Sequence, residues 1–374
     1  ETASVRRRIM KQYFCLGSYT EPILFGTGEV FQGKGKGIYI CSFEDGKIQE
    51  LSSIAVRNPS FVCMDEQRKK IYAVNEMKEY LGAFGGGVTQ LSYDSSGEMT
   101  VEWTKNTGAT DPCHIIVSPD KNFLSIANFA SGAVTTYGLD EHGCINTGRH
   151  VYQHEGHSIH PKRQQGPHAH STIFTPDGKY MLVPDLGIDT VKAYTYQKDT
   201  DGSIDACPKK DLKVTPGNGP RFGEFHPNGK DFYLINEIGS RVEHYTYSNG
   251  ALIYQDGIST LPEEFPKEDN ICSDLHITPD GKYLYASNRG HDSLVVCTFG
   301  DNGSLHIVET ISCEGKTPRN FAIDSTGTYV LVGNQDSDTI VTFRICEDGR
   351  LQKVSSYSVG SPVCIRFFKE TSFC

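Results

Sequence analysis

No run of eighteen or more apolar residues occurs in this sequence, so no segment of it reads as a membrane-spanning helix. Positive charge is in deficit. Lys+Arg 36 against Asp+Glu 46 leave a net charge of −10, which argues against a nucleic-acid or polyanion surface. A local arginine cluster would still admit a small anionic ligand. There is one tryptophan, Trp103, and no Trp-Asp dipeptide, which speaks against the WD40 class. There is no C-x-x-C among the twelve cysteines. Cys15, Cys41, Cys63, Cys297 and Cys364 sit inside apolar strand patterns and read as buried reduced thiols, not as disulfides or a zinc site. The three arginines in Glu1–Ile9 are not followed by an apolar signal region. Residues 1–10 are therefore expected to be a disordered or non-native extension, with 11–374 as one folded unit in the cytoplasm.

Chemical motifs are also scarce. No G-x-S-x-G elbow supports a serine triad. The glycine-rich stretch Gly26–Gly37 (GTGEVFQGKGKG) is not followed by a helix, so it is neither a P-loop nor a dinucleotide fingerprint and reads as a flexible rim loop. Asp199-Thr-Asp201-Gly202 is too short for a calcium loop. His154–His170 (HEGHSIHPKRQQGPHAH) holds five histidines. Its H-x₂-H-x₂-H spacing has no carboxylate or cysteine frame around it, so no metal is expected. A substrate-binding loop, with Arg163 and Gln164 as anion and hydroxyl ligands, is the reading we take. No cofactor is expected.

The chain does hold a repeat. The segments from 276 (HITPDGKYLYASNRGHDSLVVCTFGDNGSL), 172 (TIFTPDGKYMLVPDLGIDTVKAYTYQKDTDGSI) and 224 (EFHPNGKDFYLINEIGSRVEHYTYSNGAL) share one order. Each reads strand, PDGK or PNGK turn, strand, short loop, strand, Gly-containing turn, strand. Weaker copies start at 62, 115 and 322. Asp-Gly and Asn-Gly supply the positive φ that tight turns require. Four strands per repeat is the size of a propeller blade. A seventh blade is split. QYFCLGSY at 12–19 resembles a second strand and SPVCIRFF at 361–368 a first strand. The expected fold is an all-β, seven-bladed propeller whose ring closes by pairing the C-terminal strand with the N-terminal strands.

Aligning the blades on their turns gives two rings at one channel mouth. Before strand A stand Val363, Ser60, Cys113, His170, Arg221, Ser273 and Arg319. After strand B stand Tyr19, Glu76, Phe129, Leu186, Glu237, Arg289 and Gln335. The residues preceding these, among them Asp185 and Asn288, read mainly as strand-end caps. Charges at a narrow mouth need partners or a ligand. His170, Arg221, Glu237 and Arg289 are therefore the candidate catalytic group. Arg163, Gln164, His168, Asp185, Arg319, Asn288 and Glu76 are candidate substrate-binding residues.

SIHPKRQQGPHAHSTIFTPDGKYMLVPDLGIDTV resembles the most characteristic segment of the seven-bladed lactonase family, which includes propeller-type 6-phosphogluconolactonases and a carboxymuconate lactonizing enzyme. GPRFGEFHPNGKDFYLINE, SDLHITPDGKYLYASNRG and TPRNFAIDSTGTYVLVGNQDSD continue the resemblance, which covers residues 11–368. It implies a site built from His170, Arg221, Glu237 and Arg289, the group the ring alignment also selects. The implied activity is hydrolysis of a sugar lactone, 6-phosphogluconolactone foremost, in the pentose phosphate pathway. A lactonizing enzyme on a carboxymuconate-like acid and a non-catalytic binding propeller are the alternatives. The expected partner is a small anionic sugar lactone, with no nucleic acid and no membrane. The chain is expected to be a monomer or weak homo-oligomer. The Gly26–Gly37 loop is longer than the family's compact one.

Overall fold

The computed structural model describes residues 11–196 and 201–373. Seven sheets, nearly all four-stranded, follow one another around a central channel. Blade 1 pairs strand A, Pro362–Phe367, with strand B, Gln12–Ser18, and continues through Ile38–Glu44 and Lys47–Ile54. Strands A and B are Val62–Asp65 and Lys70–Asn75 in blade 2, and Pro112–Val117 and Phe123–Asn128 in blade 3. They are Ile173–Phe174 and Tyr180–Asp185 in blade 4, and Pro220–Phe225 and Asp231–Asn236 in blade 5. Blade 6 has Ile271–Ile277 and Tyr283–Arg289, and blade 7 has Pro318–Ile323 and Tyr329–Asn334. The extension 1–10 lies outside the described residues, as do 197–200 in the Asp199 turn.

The middle strands are buried on both faces, because each sheet is covered by a blade on either side. Phe14, Leu16 and Ile365 of blade 1 pack with Leu331 and Ile340 of blade 7. Cys15 and Ile40 pack with Val62 and Ile71 of blade 2. The fourth strands alternate between covered and exposed residues, as an outer strand with one wet face should. In six of the seven blades the A–B turn places one residue at positive φ in the same position. It is Lys69, Lys121, Gly178, Gly229, Gly281 or Gly327. Blade 1 has no such turn, since its A and B strands come from opposite ends of the chain. Phe14↔Phe367, Leu16↔Ile365 and Gly17↔Cys364 set the register that closes the ring. The described cysteines are all unpaired thiols.

The two rings converge through a repeated defect. Between Pro112↔Asn128 and His114↔Ala127 the register slips, leaving Cys113 unpaired. The same slip leaves out Arg221, Arg319 and Val363, and Ser273 with Asp274 in blade 6. A bulge leaves one residue out of the ladder and re-aims its side chain. Here it turns these residues toward the channel. They therefore sit inside the first pairs of strand A, not ahead of the strand as the alignment had them. Just before four of these bulges comes a positive-φ residue followed by proline, Asp111, Gly219, Thr317 and Ser361; Asn58 stands likewise ahead of strand A of blade 2, where the ladder does not slip.

The Gly26–Gly37 stretch is not a loose rim loop. Ile23–Leu24 pairs with Val30–Phe31 as a short hairpin over the mouth. Glycine is needed downstream because the chain lies directly on blade 1. A Cβ at Gly33 would stand 2.6 Å from the backbone nitrogens of Thr20 and Glu21, and one at Gly35 only 2.0 Å from Ser18 Oγ. No helix of the described residues is long and apolar enough to cross a membrane.

Candidate active site

Strand ends at this mouth enclose a cavity of about 350 Å³, roofed by the hairpin. Leu24, Phe25, Val30 and Phe31 supply an apolar wall, while Arg163, His170, Glu237, Arg289, Arg319 and Glu76 supply the polar one.

Glu237 is the hub. Its position is fixed by its own backbone, which donates to Gly219 O (2.7 Å) and accepts from Cys272 N (3.0 Å). Its Oε2 accepts from Arg221 Nε at 2.9 Å and Arg289 Nη2 at 2.8 Å, and lies 3.8 Å from His170 Nε2. Its Oε1 accepts from Arg163 Nη2. Burial pushes the Glu237 carboxyl up, but Arg289, Arg163 and Arg221 together outweigh it and hold the group well below the usual carboxylate range. Burial also drives His170 well below the usual imidazole range. Arg221 reinforces that shift and Glu237 only partly offsets it, so the ring is neutral near pH 7. Cys113 Sγ stands 3.8 Å from His170 Nδ1, and Phe129 meets the imidazole edge-on at 5.3 Å. Burial brings Arg289 down to about 9, which leaves it charged at neutral pH. The Nε atoms of Arg289 and Arg163 are buried with no hydrogen-bond partner among the described residues, on two side chains that line the cavity.

A second group faces this hub. Tyr19 donates its hydroxyl to Glu76 Oε2 at 2.8 Å. Arg319 lies 3.7 Å from Glu76 Oε1, with its guanidinium 5.2 Å from the ring centres of both Tyr19 and Phe25. Burial raises the Glu76 carboxyl above its ordinary value, against the pull of Arg319. Arg163, Arg221 and Arg289 around the one carboxylate of Glu237 make that side of the cavity cationic inside an acidic protein, while Glu29, Asp111 and Asp336 add carboxylates elsewhere on its wall.

The remaining candidates stand apart. Arg221 lines only a small void of about 30 Å³ beneath the main cavity, where Nη1 donates to Ser273 O. Gln164 is wholly buried and bonds Leu186 O (2.8 Å) and the His160 N–H (3.0 Å), so the loop uses it internally. His168 is stacked on Phe129 at 4.5 Å and bonded to Phe129 O, outside the cavity wall. Asp185 accepts from the backbone N–H groups of His168 and Gly187 and sits 2.6 Å from His154 Nδ1. Asn288 donates to Thr260 O (2.9 Å), as Asn75 does to Arg57 O and Asn334 to Cys313 O. These side chains tie a strand B to the segment that leads into strand A of the same blade. The expected substrate loop 154–170 thus contributes only Arg163 and His170 to the cavity. Its His154 is clamped between Asp185 and Tyr194. Among the described residues no group of three or more His, Cys, Asp or Glu is arranged to hold a metal.

The candidate list omitted Phe25, Phe31, Asp111, Thr317 and Gln335, which all line the cavity. Gln335 occupied a ring position in the alignment. Asp111 and Thr317 carried a signal too, since each is an X-Pro residue at the start of a blade. The hairpin aromatics carried none.

The profile of the family described as "Lactonase, 7-bladed beta-propeller" matches residues 13–367. A 6-phosphogluconolactonase of Formosa agariphila is 33% identical over 86% of this chain and 92% of its own length. That of Bacillus subtilis is 33% identical over 92% of this chain and 97% of its own. The solved structure of a periplasmic gluconolactonase from Pseudomonas aeruginosa superposes with a TM-score of 0.86 at 29% identity, covering 96% of this chain and 99% of that one. With its seven sheets, its split first blade and this match along nearly the whole chain, the protein belongs to the seven-bladed β-propeller lactonase family and is an enzyme of that class.

Proposed function

We propose that this enzyme hydrolyses a sugar lactone bearing an anionic group, 6-phospho-D-glucono-1,5-lactone foremost, to the open sugar acid in the cytoplasmic pentose phosphate pathway. The observation that carries the reading is the Arg163–Arg221–Arg289 cluster around Glu237, beside neutral His170, in a cavity of about 350 Å³. A cavity of this size suits a small ligand. Guanidinium donors suit a phosphate or carboxylate better than an ammonium would. The names of the Formosa and Bacillus relatives agree with it. The closed ring is compatible with a monomer or weak homo-oligomer.

Lactone opening requires deprotonation of the attacking water, stabilisation of the oxyanion and a proton for the departing alkoxide. Glu237 is saturated by guanidiniums and is a poor proton acceptor. His170 is the general base in this reading, with Glu237 steadying the imidazolium it becomes. Arg289 donates to the oxyanion, and Arg163 and Arg319 hold the substrate's anionic group. Arg221 positions Glu237 from beneath.

The test is ring opening followed by proton release in weak buffer, with fresh 6-phosphogluconolactone and with unphosphorylated gluconolactone, after subtraction of spontaneous hydrolysis. The expected result is fast opening of the phosphorylated lactone, cut by about 10²–10³ in Arg289→Ala. No rate above background on either lactone would overturn the reading. It would turn attention to muconate-type acids, where the same charges could serve a lactonizing reaction.

A further inference from the structure

Two of the carboxylates that line the cavity stand on opposite sides and in opposite surroundings. Glu76 follows strand B of blade 2 and Glu237 follows strand B of blade 5, three blades apart in a ring of seven. Both line the same space. Glu237 is fixed by three guanidiniums and shares its Oε2 corner with the imidazole of His170. Glu76 has only neutral hydroxyls as close side-chain donors, Tyr19 on Oε2 and Ser60 beside it, while Arg319 stops 3.7 Å from Oε1, beyond hydrogen-bond reach. The other charged group near Glu76 is Asp111, whose Oδ2 is taken by Lys78.

We propose that Glu76 is the general acid that protonates the ring oxygen as it leaves, working across the cavity from His170. This rests on the lactone-hydrolysis reading above. His170 takes one proton from water as the new C–O bond forms at the carbonyl carbon. The tetrahedral intermediate then collapses, the bond from that carbon to the ring oxygen breaks, and the Glu76 carboxyl proton goes to that oxygen. The new carboxylic acid loses its proton, Glu76 is reprotonated and His170 releases the proton it took. The sum is lactone plus water giving hydroxy-carboxylate plus one H⁺. A division of labour follows from placement, because the attacking water and the departing oxygen occupy different sides of the carbonyl carbon. Desolvation supports it by keeping the proton on Glu76 to higher pH than on an ordinary glutamate, while Glu237 is pushed the other way. A neutral Glu76 also leaves Arg319 without a counter-charge and free for the substrate's anion.

The experiment compares wild type with Glu76→Gln on the oxygen lactone and on the thiolactone of the same sugar acid, whose thiolate leaves without a proton. The expected result on the oxygen lactone is a loss of about 10²-fold or more in kcat with KM little changed, and loss of the alkaline limb of the pH profile. On the thiolactone the loss is less than a tenth as large. Tyr19→Phe is the second variant. Removing a donor to the charged carboxylate moves the alkaline limb to higher pH, and this variant decides the matter if Glu76→Gln fails to fold. Equal losses on the two lactones, or an alkaline limb unmoved in Tyr19→Phe, would overturn Glu76 as the acid and leave the hydrolase standing. A wild-type enzyme that opens neither lactone would remove both.

Discussion

Replacing Glu237 by Gln tests whether the cavity's cationic corner is held together by one carboxylate. The substitution keeps the shape but withdraws the charge that Arg163, Arg221 and Arg289 share. Glu237 and its three partners are nearly inaccessible, with side-chain exposures of 3% for Glu237 and 9–11% for the arginines, so solvent screens them little. Breaking a buried pair by removing one partner costs about 3–5 kcal/mol, because the other charge stays behind. With an unfolding entropy near 2.1 cal/mol/K per residue, about 4 kcal/mol lowers the Tm of a chain this long by about 5 °C. The pH dependence has a definite sign. The folded pKa of Glu237 is depressed, so its contribution is present above the unfolded value of about 4.3 and is lost as pH falls through the folded value. Urea unfolding midpoints at pH 7 and at successively lower pH, for wild type and variant, are the assay. The gap should be full at pH 7 and shrink below about pH 4. A gap under about 1 kcal/mol at pH 7, or one that widens in acid, would refute the argument that this carboxylate offsets the buried arginines.

At the other end of the channel His276 is 2.8 Å from Glu224 Oε2 and 3.2 Å from Asp274 Oδ2. Burial lowers its pKa, but Asp274 and then Glu224 outweigh burial and raise it to about 9. A raised value stabilises the fold fully below about pH 6.5 and loses that contribution as pH rises toward 9. His276→Gln should therefore cost about 2–4 kcal/mol at pH 6 and much less at pH 10; a pH-independent gap in urea midpoints would contradict this. Ring closure is tested by Ile365→Ala, a wholly buried position packed among Phe14, Leu16 and Leu331. The expected loss is about 2–5 kcal/mol in urea unfolding, and ending the chain at Ser358 should yield no cooperative transition. A truncated chain with an unchanged midpoint would show that the C-terminal strand is dispensable.

Much of this protein was legible in its residues because propeller blades are local. PDGK and PNGK turns fix where one strand ends and the next begins, and the apolar runs between them need cover on both faces, which only neighbouring blades provide. The split blade followed from two half-patterns at the chain ends, and Gly17↔Cys364 is the pairing that joins them. The ring alignment brought His170, Glu237, Arg289, Arg319 and Glu76 to one mouth by counting from turns alone. Tertiary structure decided what each of them does there. One unpaired residue at the start of strand A is all that aims Arg221 and Arg319 inward, and such a slip leaves no mark in a repeat read from its turns. Asp185 and Asn288 looked like ligands or caps; they are strand-end caps, their carboxylate and amide atoms used on the adjoining segments and not in the cavity. Gly33 and Gly35 looked like flexibility, yet they are small because the chain at Ser18–Glu21 lies within 2.6 Å of where a Cβ would be. Position along a repeat is set by local chemistry. Partnership across the channel depends on ring closure, and only the closed ring shows that Glu237 is bonded by three arginines while Glu76 is bonded by hydroxyls with one arginine just out of reach.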